Sequence, residues 1–160
     1  MSLTRILIID HKSDYINQLV HHFESLQVSL DVSAPKSQTF AGSYDGIVLS
    51  GGALPQSAYR DVLSWYARQL DDLKIPLLGV CLGFKILGYC YGARIRKLES
   101  EESGLAVVKF HKPFPLAPDK GQLVVHEDHS FELIGIPEML ENYGSTDRCK
   151  IQAVKHKTKP

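Results

Sequence analysis

Apolar positions along the first ninety residues fall into two textures, short unbroken aliphatic runs and longer stretches with a period of three to four. Residues 5–9 form a β-branched run that ends at Asp10, the pattern of a strand buried on both faces. Ile16, Leu19, Val20, Phe23 and Leu26 then recur on one helical face, and Ser13 can cap that helix. Residues 28–32 read as a second strand, and a loop follows over 33–43. A short apolar strand over 46–49 runs into Ser50-Gly51-Gly52. Ser57 can cap a helix whose inner side carries Ala58, Val62, Trp65, Tyr66, Gln69 or Leu70, and Leu73. Residues 77–80 make a further strand, and residues 82–91 a helix closed by Gly92.

Beyond Gly92 the pattern changes to short β-like pieces over 93–97, 105–110, 123–126 and 151–155, separated by Pro- and Gly-rich turns. The expected fold is α/β, a flavodoxin-like three-layer α/β/α arrangement. Its sheet is mixed and mainly parallel, with an appended antiparallel patch. Ligands of such sheets bind beyond the carboxyl ends of the strands. Ser50-Gly51-Gly52 and Cys81 both fall at such ends, so chain order predicts that they face one crevice.

Length and charge narrow the classes of function. At 160 residues the chain reads as a single domain with room for a core. Lys+Arg and Asp+Glu both number 18, which removes any general attraction to nucleic acid or an anionic membrane. No apolar stretch nears the ~20 residues of a spanning helix, and no signal-peptide pattern opens the chain. The three cysteines, Cys81, Cys90 and Cys149, are odd in number and lack metal-like spacing, which suits a reducing cytoplasm.

The chemistry concentrates at the corner Gly79-Val80-Cys81-Leu82-Gly83. A thiol between a buried strand and a helix meets the free N–H groups and positive dipole end of that helix, which favour thiolate. The tight turn also lifts it toward substrate, as in elbows built on serine. The plainer alternative is a small buried apolar residue. Gly51-Gly52 is either a flexible turn or a loop whose backbone N–H groups stabilise an oxyanion. Beside a nucleophile the second reading gains, because acyl transfer needs both, and the N–H of Leu82 is the natural second donor.

With Ser50-Gly51-Gly52, the elbow and a later histidine-bearing region, the chain resembles class I (triad-type) glutamine amidotransferases over residues 5–160. Residues 98–105, 127–129 and 149–157 are most similar to the glutaminase part of GMP synthase, an enzyme of purine biosynthesis. The resemblance implies a flavodoxin-like fold and hydrolysis of glutamine's side-chain amide through a cysteine thioester. The ammonia passes to a synthetase partner that holds the acceptor. It implies no cofactor, and it makes Cys81 the nucleophile, with Gly51, Gly52 and Leu82 forming the oxyanion hole.

Three departures stand beside it. The family's histidine–proline–glutamate motif is expected just after Pro160. The chain is therefore expected to lack a C-terminal strand and helix, as a truncated or a catalytically defective member. Lys85 stands where the family usually has a substrate-holding glutamine. It lies four residues after Cys81 on the same helix face, and is either a substrate-binding residue that also promotes thiolate or a snorkelling surface lysine. Phe84 replaces a residue that is usually small or polar.

His129 corresponds to a region that, in the GMP synthase type, helps couple to the partner domain. It is a candidate for substrate binding and the first candidate for a substitute base. His126 and His129 lack a third metal ligand at a convincing spacing, so no metal is assigned. His11, His21, His22 and His156 read as loop, surface and solvated residues. The competing functions are a cysteine hydrolase of other γ-glutamyl amides, and an amidotransferase-like binding or regulatory subunit whose site has decayed.

Overall fold

The structure, a computed structural model, describes residues 3–37, 40, 44–54, 58–70, 73–117, 119 and 121–160. The chain divides into two compact units, Met1–Cys90 with Lys159–Pro160, and Tyr91–Thr158. The first contains β1 (Arg5–His11), α1 (Ile16–Glu24), β2 (Ser29–Ser33), β3 (Gly46–Gly52), α2 (Tyr59–Leu70), β4 (Leu77–Gly79) and α3 (Leu82–Cys90). Its four strands pair in parallel in the order β2-β1-β3-β4. With right-handed crossovers, that order sends the β1–β2 and β3–β4 connections to opposite faces.

Both faces are covered, which explains the unbroken apolar runs. Leu7, Ile8 and Ile9 are all fully buried although their side chains alternate across the sheet. On one face Leu7, Ile9, Ile47 and Leu49 pack against Val62, Leu63, Tyr66 and Leu70 of α2 and Leu82 and Ile86 of α3. The periodicity of α2 is borne out, with Leu63 added to the inward set. Phe40 closes this core edge-on to Trp65, with ring centroids 5.2 Å apart, and its N–H donates to Gln69 Oε1. The Ser57 cap lies outside the described residues, as does part of the 33–43 loop.

α1 differs from its expected start. Ser13 makes a turn before the helix, donating its N–H to Asp10 Oδ1 and accepting from the N–H of Tyr15, which takes the cap position. Leu26 falls beyond the helix end and is exposed, and no side chain of α1 is fully buried.

The second unit is an antiparallel sheet of its own, in the order β6-β5-β7-β8. β5 (Arg94–Phe110) joins two of the expected pieces into one strand, with an irregularity in its pairing between Lys97 and Glu102. β6 (Gln122–Ile134) extends a third, and β8 (Ala153–His156) matches the fourth. β7 (Leu140–Ser145) had no counterpart in the apolar pattern. Its Gly144 lies opposite Phe110, and a Cβ there would come within 3.1 Å of both Phe110 Cδ1 and Val108 Cγ1. The aromatic ring thus fills the space that glycine leaves.

Candidate active site

β4 ends at Gly79, α3 begins at Leu82, and Cys81 forms the corner between them. Its φ of +49° is a left-handed conformation that side-chain-bearing residues rarely adopt, and its side chain is exposed. Two glycines make the corner possible. A Cβ on Gly79 would sit 2.6 Å from Gly83 C and Phe84 N, and one on Gly83 would run into the Leu49 carbonyl. Glycine at both places lets the first turn of α3 press against β3 and β4.

The expected convergence at the strand ends is present. A Cβ on Gly51 would stand 3.4 Å from Cys81 Cβ, so the end of β3 and the thiol corner are immediate neighbours. Gly52 has φ +130° and approaches the His11 carbonyl too closely for any side chain. Leu82 is the first residue of α3, where a backbone N–H has no acceptor within the helix. Tyr59, at the start of α2, also belongs to this neighbourhood. Burial and then the charge of Cys81 push its phenol up, so it remains a neutral donor.

A buried network behind the Gly-Gly turn fixes its shape. Ser50 Oγ accepts the His11 N–H at 2.9 Å and donates to the Gly51 carbonyl at 2.7 Å. His11 is not a loop residue but the fully buried last residue of β1. Its Nδ1 faces the Ser50 carbonyl at 3.1 Å and its Nε2 faces Tyr66 Oη at 2.7 Å. A neutral ring satisfies both contacts, with Nδ1–H donating to the carbonyl and Nε2 accepting from the phenol.

Burial pushes the His11 imidazole down to about 4. The unfolded chain therefore takes up a proton as pH falls through about 6.5, while the folded chain does not until about 4. This contribution to stability is complete above pH 6.5 and is lost on acidification toward pH 4. It amounts to about 3 kcal/mol. Urea unfolding of wild type and His11→Gln at pH 7 and pH 4.5 checks it, the variant losing measurably less stability between the two.

Lys85 corrects one of its two sequence readings, since it is not a surface lysine. It is 7% exposed, with Nζ 3.5 Å from the Cys81 carbonyl oxygen and 4.0 Å from Cys81 Sγ. Among the described residues no carboxylate pairs with it. The other two thiols are of a different kind, since burial pushes Cys90 and Cys149 up to about 11.

His129 belongs to the second unit, where its imidazole is engaged on both sides. Nδ1 meets the Phe131 carbonyl at 3.0 Å, and Nε2 lies 3.2 Å from Glu102 Oε2 and 3.3 Å from Glu127 Oε2. Gln152 Nε2 donates to the same Glu102 oxygen at 3.0 Å. His126 and His129 are an odd number of residues apart on β6, so they point to opposite faces of the sheet and cannot share a ligand. His21 and His22 are exposed, as expected, whereas His156 packs on Tyr91 with ring centroids 5.0 Å apart.

The network of His11, Ser50 and Tyr66 and the placing of Tyr59 were missed from sequence. The only signal was Ser50 itself, a polar residue ending an apolar strand. Among the described residues no helix is long and apolar enough to cross a membrane.

Comparison with known proteins places this geometry. The family model for glutamine amidotransferase class-I matches residues 7–160. A glutamine-hydrolyzing GMP synthase subunit of Thermoplasma acidophilum is 32% identical over 117 residues, 72% of this chain and 58% of that protein. The protein of the same name from Methanocaldococcus jannaschii is 28% identical over 162 residues, covering 97% of this chain and 82% of that one. A crystal structure of a GMP synthase subunit from T. acidophilum superimposes with a TM-score of 0.92 at 25% identity, over 100% of this chain and 81% of the other. A glutamine amidotransferase from Thermotoga maritima, at 20% identity and a TM-score of 0.79, shares the fold. The chain thus spans a little over half of the first of these relatives.

Proposed function

The chain belongs to the class-I glutamine amidotransferase family, and from that premise we propose that it hydrolyses the side-chain amide of glutamine and delivers the ammonia to a synthetase partner. The observation that carries this reading is the strained, exposed Cys81 set against Gly51 at the carboxyl ends of β3 and β4. In the proposed reaction Cys81 Sγ attacks the amide carbon, and the oxygen that becomes negative is held by backbone N–H groups of the Gly51-Gly52 turn and of Leu82. Ammonia leaves, and water then releases glutamate from the thioester. The names of the relatives support GMP synthesis as the pathway and a separate synthetase chain as the partner. Nothing in the reading calls for a cofactor, a nucleic acid or a membrane, and the free thiols fit a reducing cytoplasm.

Lys85 enters the proposal as a substrate-binding residue beside the thiol. His129 enters it as a second substrate-binding residue, carried by the second unit. The test is glutamate and ammonia release from glutamine by the full-length protein with its synthetase partner. The expected result is equimolar glutamate and ammonia, and their absence would contradict the reading. Run on His129→Asn, the same assay separates two roles. A raised KM at unchanged melting temperature supports substrate binding. A lowered melting temperature at unchanged KM assigns His129 to the Glu102–Glu127–Gln152 network alone.

A further inference from the structure

Lys85 is a buried ammonium with a specific neighbourhood. Its stem runs inside the fold from the first turn of α3, one turn after Cys81, and its Nζ reaches the Cys81 carbonyl oxygen at 3.5 Å and Sγ at 4.0 Å. Taking a charge out of water is costly unless an opposite charge or strong hydrogen bonds compensate. Two contacts at 3.5 and 4.0 Å are long for hydrogen bonds, and among the described residues no carboxylate stands against this ammonium. The charge is left facing the exposed thiol, the place where a substrate's reacting carbon must arrive. A neutral, acceptor-and-donor side chain at this place would be indifferent to the charge of an incoming ligand. An ammonium is not, because at a few ångströms from the sulfur and shielded from solvent it attracts anions and repels cations.

We infer that Lys85 is a specificity-determining residue that builds an anion subsite beside Cys81, so that the thiol reacts preferentially with electrophiles carrying a carboxylate close to the reacting carbon. For the proposed glutaminase this deepens the reading and rests on it for the identity of the substrate. The amide would be accepted as part of an amino acid whose carboxylate folds back toward Lys85. A plain carboxamide or an amide with a cationic neighbour would be disfavoured. The subsite itself depends only on the thiol and the ammonium.

The test uses two alkylating reagents of nearly equal size, neutral iodoacetamide and anionic iodoacetate. In each the thiolate displaces iodide from a CH2 group, so only the charge differs. Rates at Cys81 in the full-length protein are read by peptide mass spectrometry at pH 7.5, with Cys90 and Cys149 as internal controls. The expected result is an iodoacetate-to-iodoacetamide rate ratio at Cys81 near or above one. That ratio should fall about tenfold in Lys85→Gln, equivalent to about 1.4 kcal/mol, and be retained in Lys85→Arg. A ratio unchanged in Lys85→Gln overturns the inference, whether both rates are kept or both fall together. Should Lys85→Gln fail to fold, wild type titrated from low to high salt decides. A ratio that falls as chloride competes for the ammonium supports the subsite, and a constant ratio overturns it. Neither readout requires glutamine hydrolysis, so failure of the glutaminase reading and failure of the subsite are told apart.

Discussion

Replacing Cys81 by serine is expected to lower glutamate release by about 10^3-fold or more while the fold survives. The two side chains are close in size, and this one is exposed rather than packed, so little contact energy is at stake. The left-handed φ of +49° is retained by either residue, and the melting temperature should move by no more than about 2 °C. What changes is the nucleophile. A hydroxyl beside the Gly51-Gly52 turn and the start of α3 is far less ionised than a thiol and leaves less readily when water attacks. Glutamate measured enzymatically over hours, with melting followed by circular dichroism, checks both halves. Undiminished release at an intact fold would move the chemistry to another residue.

Replacing Gly83 by alanine carries the second large effect, and here stability fails first. The added methyl would run into the Leu49 carbonyl and stand 2.6 Å from Leu49 Cβ. Neither atom is the free end of a flexible side chain, so α3 must lift off β3. Overpacking of this kind costs about 3 kcal/mol or more, a fall in melting temperature of about 6–12 °C for a chain of this length. Because α3 carries both the N–H of Leu82 and Lys85, activity should fall along with it. Gly121→Ala is the control. A Cβ there meets nothing within 4 Å, and stability should stay within about 0.5 kcal/mol. Equal melting temperatures for the two variants would mean that the elbow is not clamped as described.

The parallel sheet and the elbow were legible in the sequence because their physics is local. Strands buried on both faces must be apolar throughout, and a chain turning from strand to helix over a few residues must use glycine where backbones meet. Leu7, Ile8 and Ile9 obey the first rule, and Gly79 and Gly83 the second. β7 was not legible. Its residues, Leu140 to Ser145, are polar and include a glycine, and they form a strand because Phe110 and Val108 lie over Gly144 from another part of the chain. The surroundings of His11 were hidden for the same reason. Its partners Ser50 and Tyr66 are 39 and 55 residues away, and only the fold brings them together.

Lys85 shows where local reasoning reaches its limit. Spacing placed it on the Cys81 side of α3, but whether such a side chain reaches out to water or lies inside depends on what packs around it. The structure puts it inside. That single fact turns an ambiguous lysine into the charged neighbour of the nucleophile. The elbow thiol, the Gly-Gly turn and the buried ammonium then form one arrangement, in which each part is needed for the chemistry of the others.

The most direct test of that arrangement is covalent capture. The full-length protein, incubated with a diazoketone analogue of glutamine and digested, should yield one stoichiometric adduct on the peptide containing Cys81. Excess glutamine should protect against it, and Cys90 and Cys149 should remain unmodified. An adduct spread over the three cysteines, or one at Cys81 that glutamine does not slow, would contradict the assignment of Cys81 as the glutamine-cleaving nucleophile.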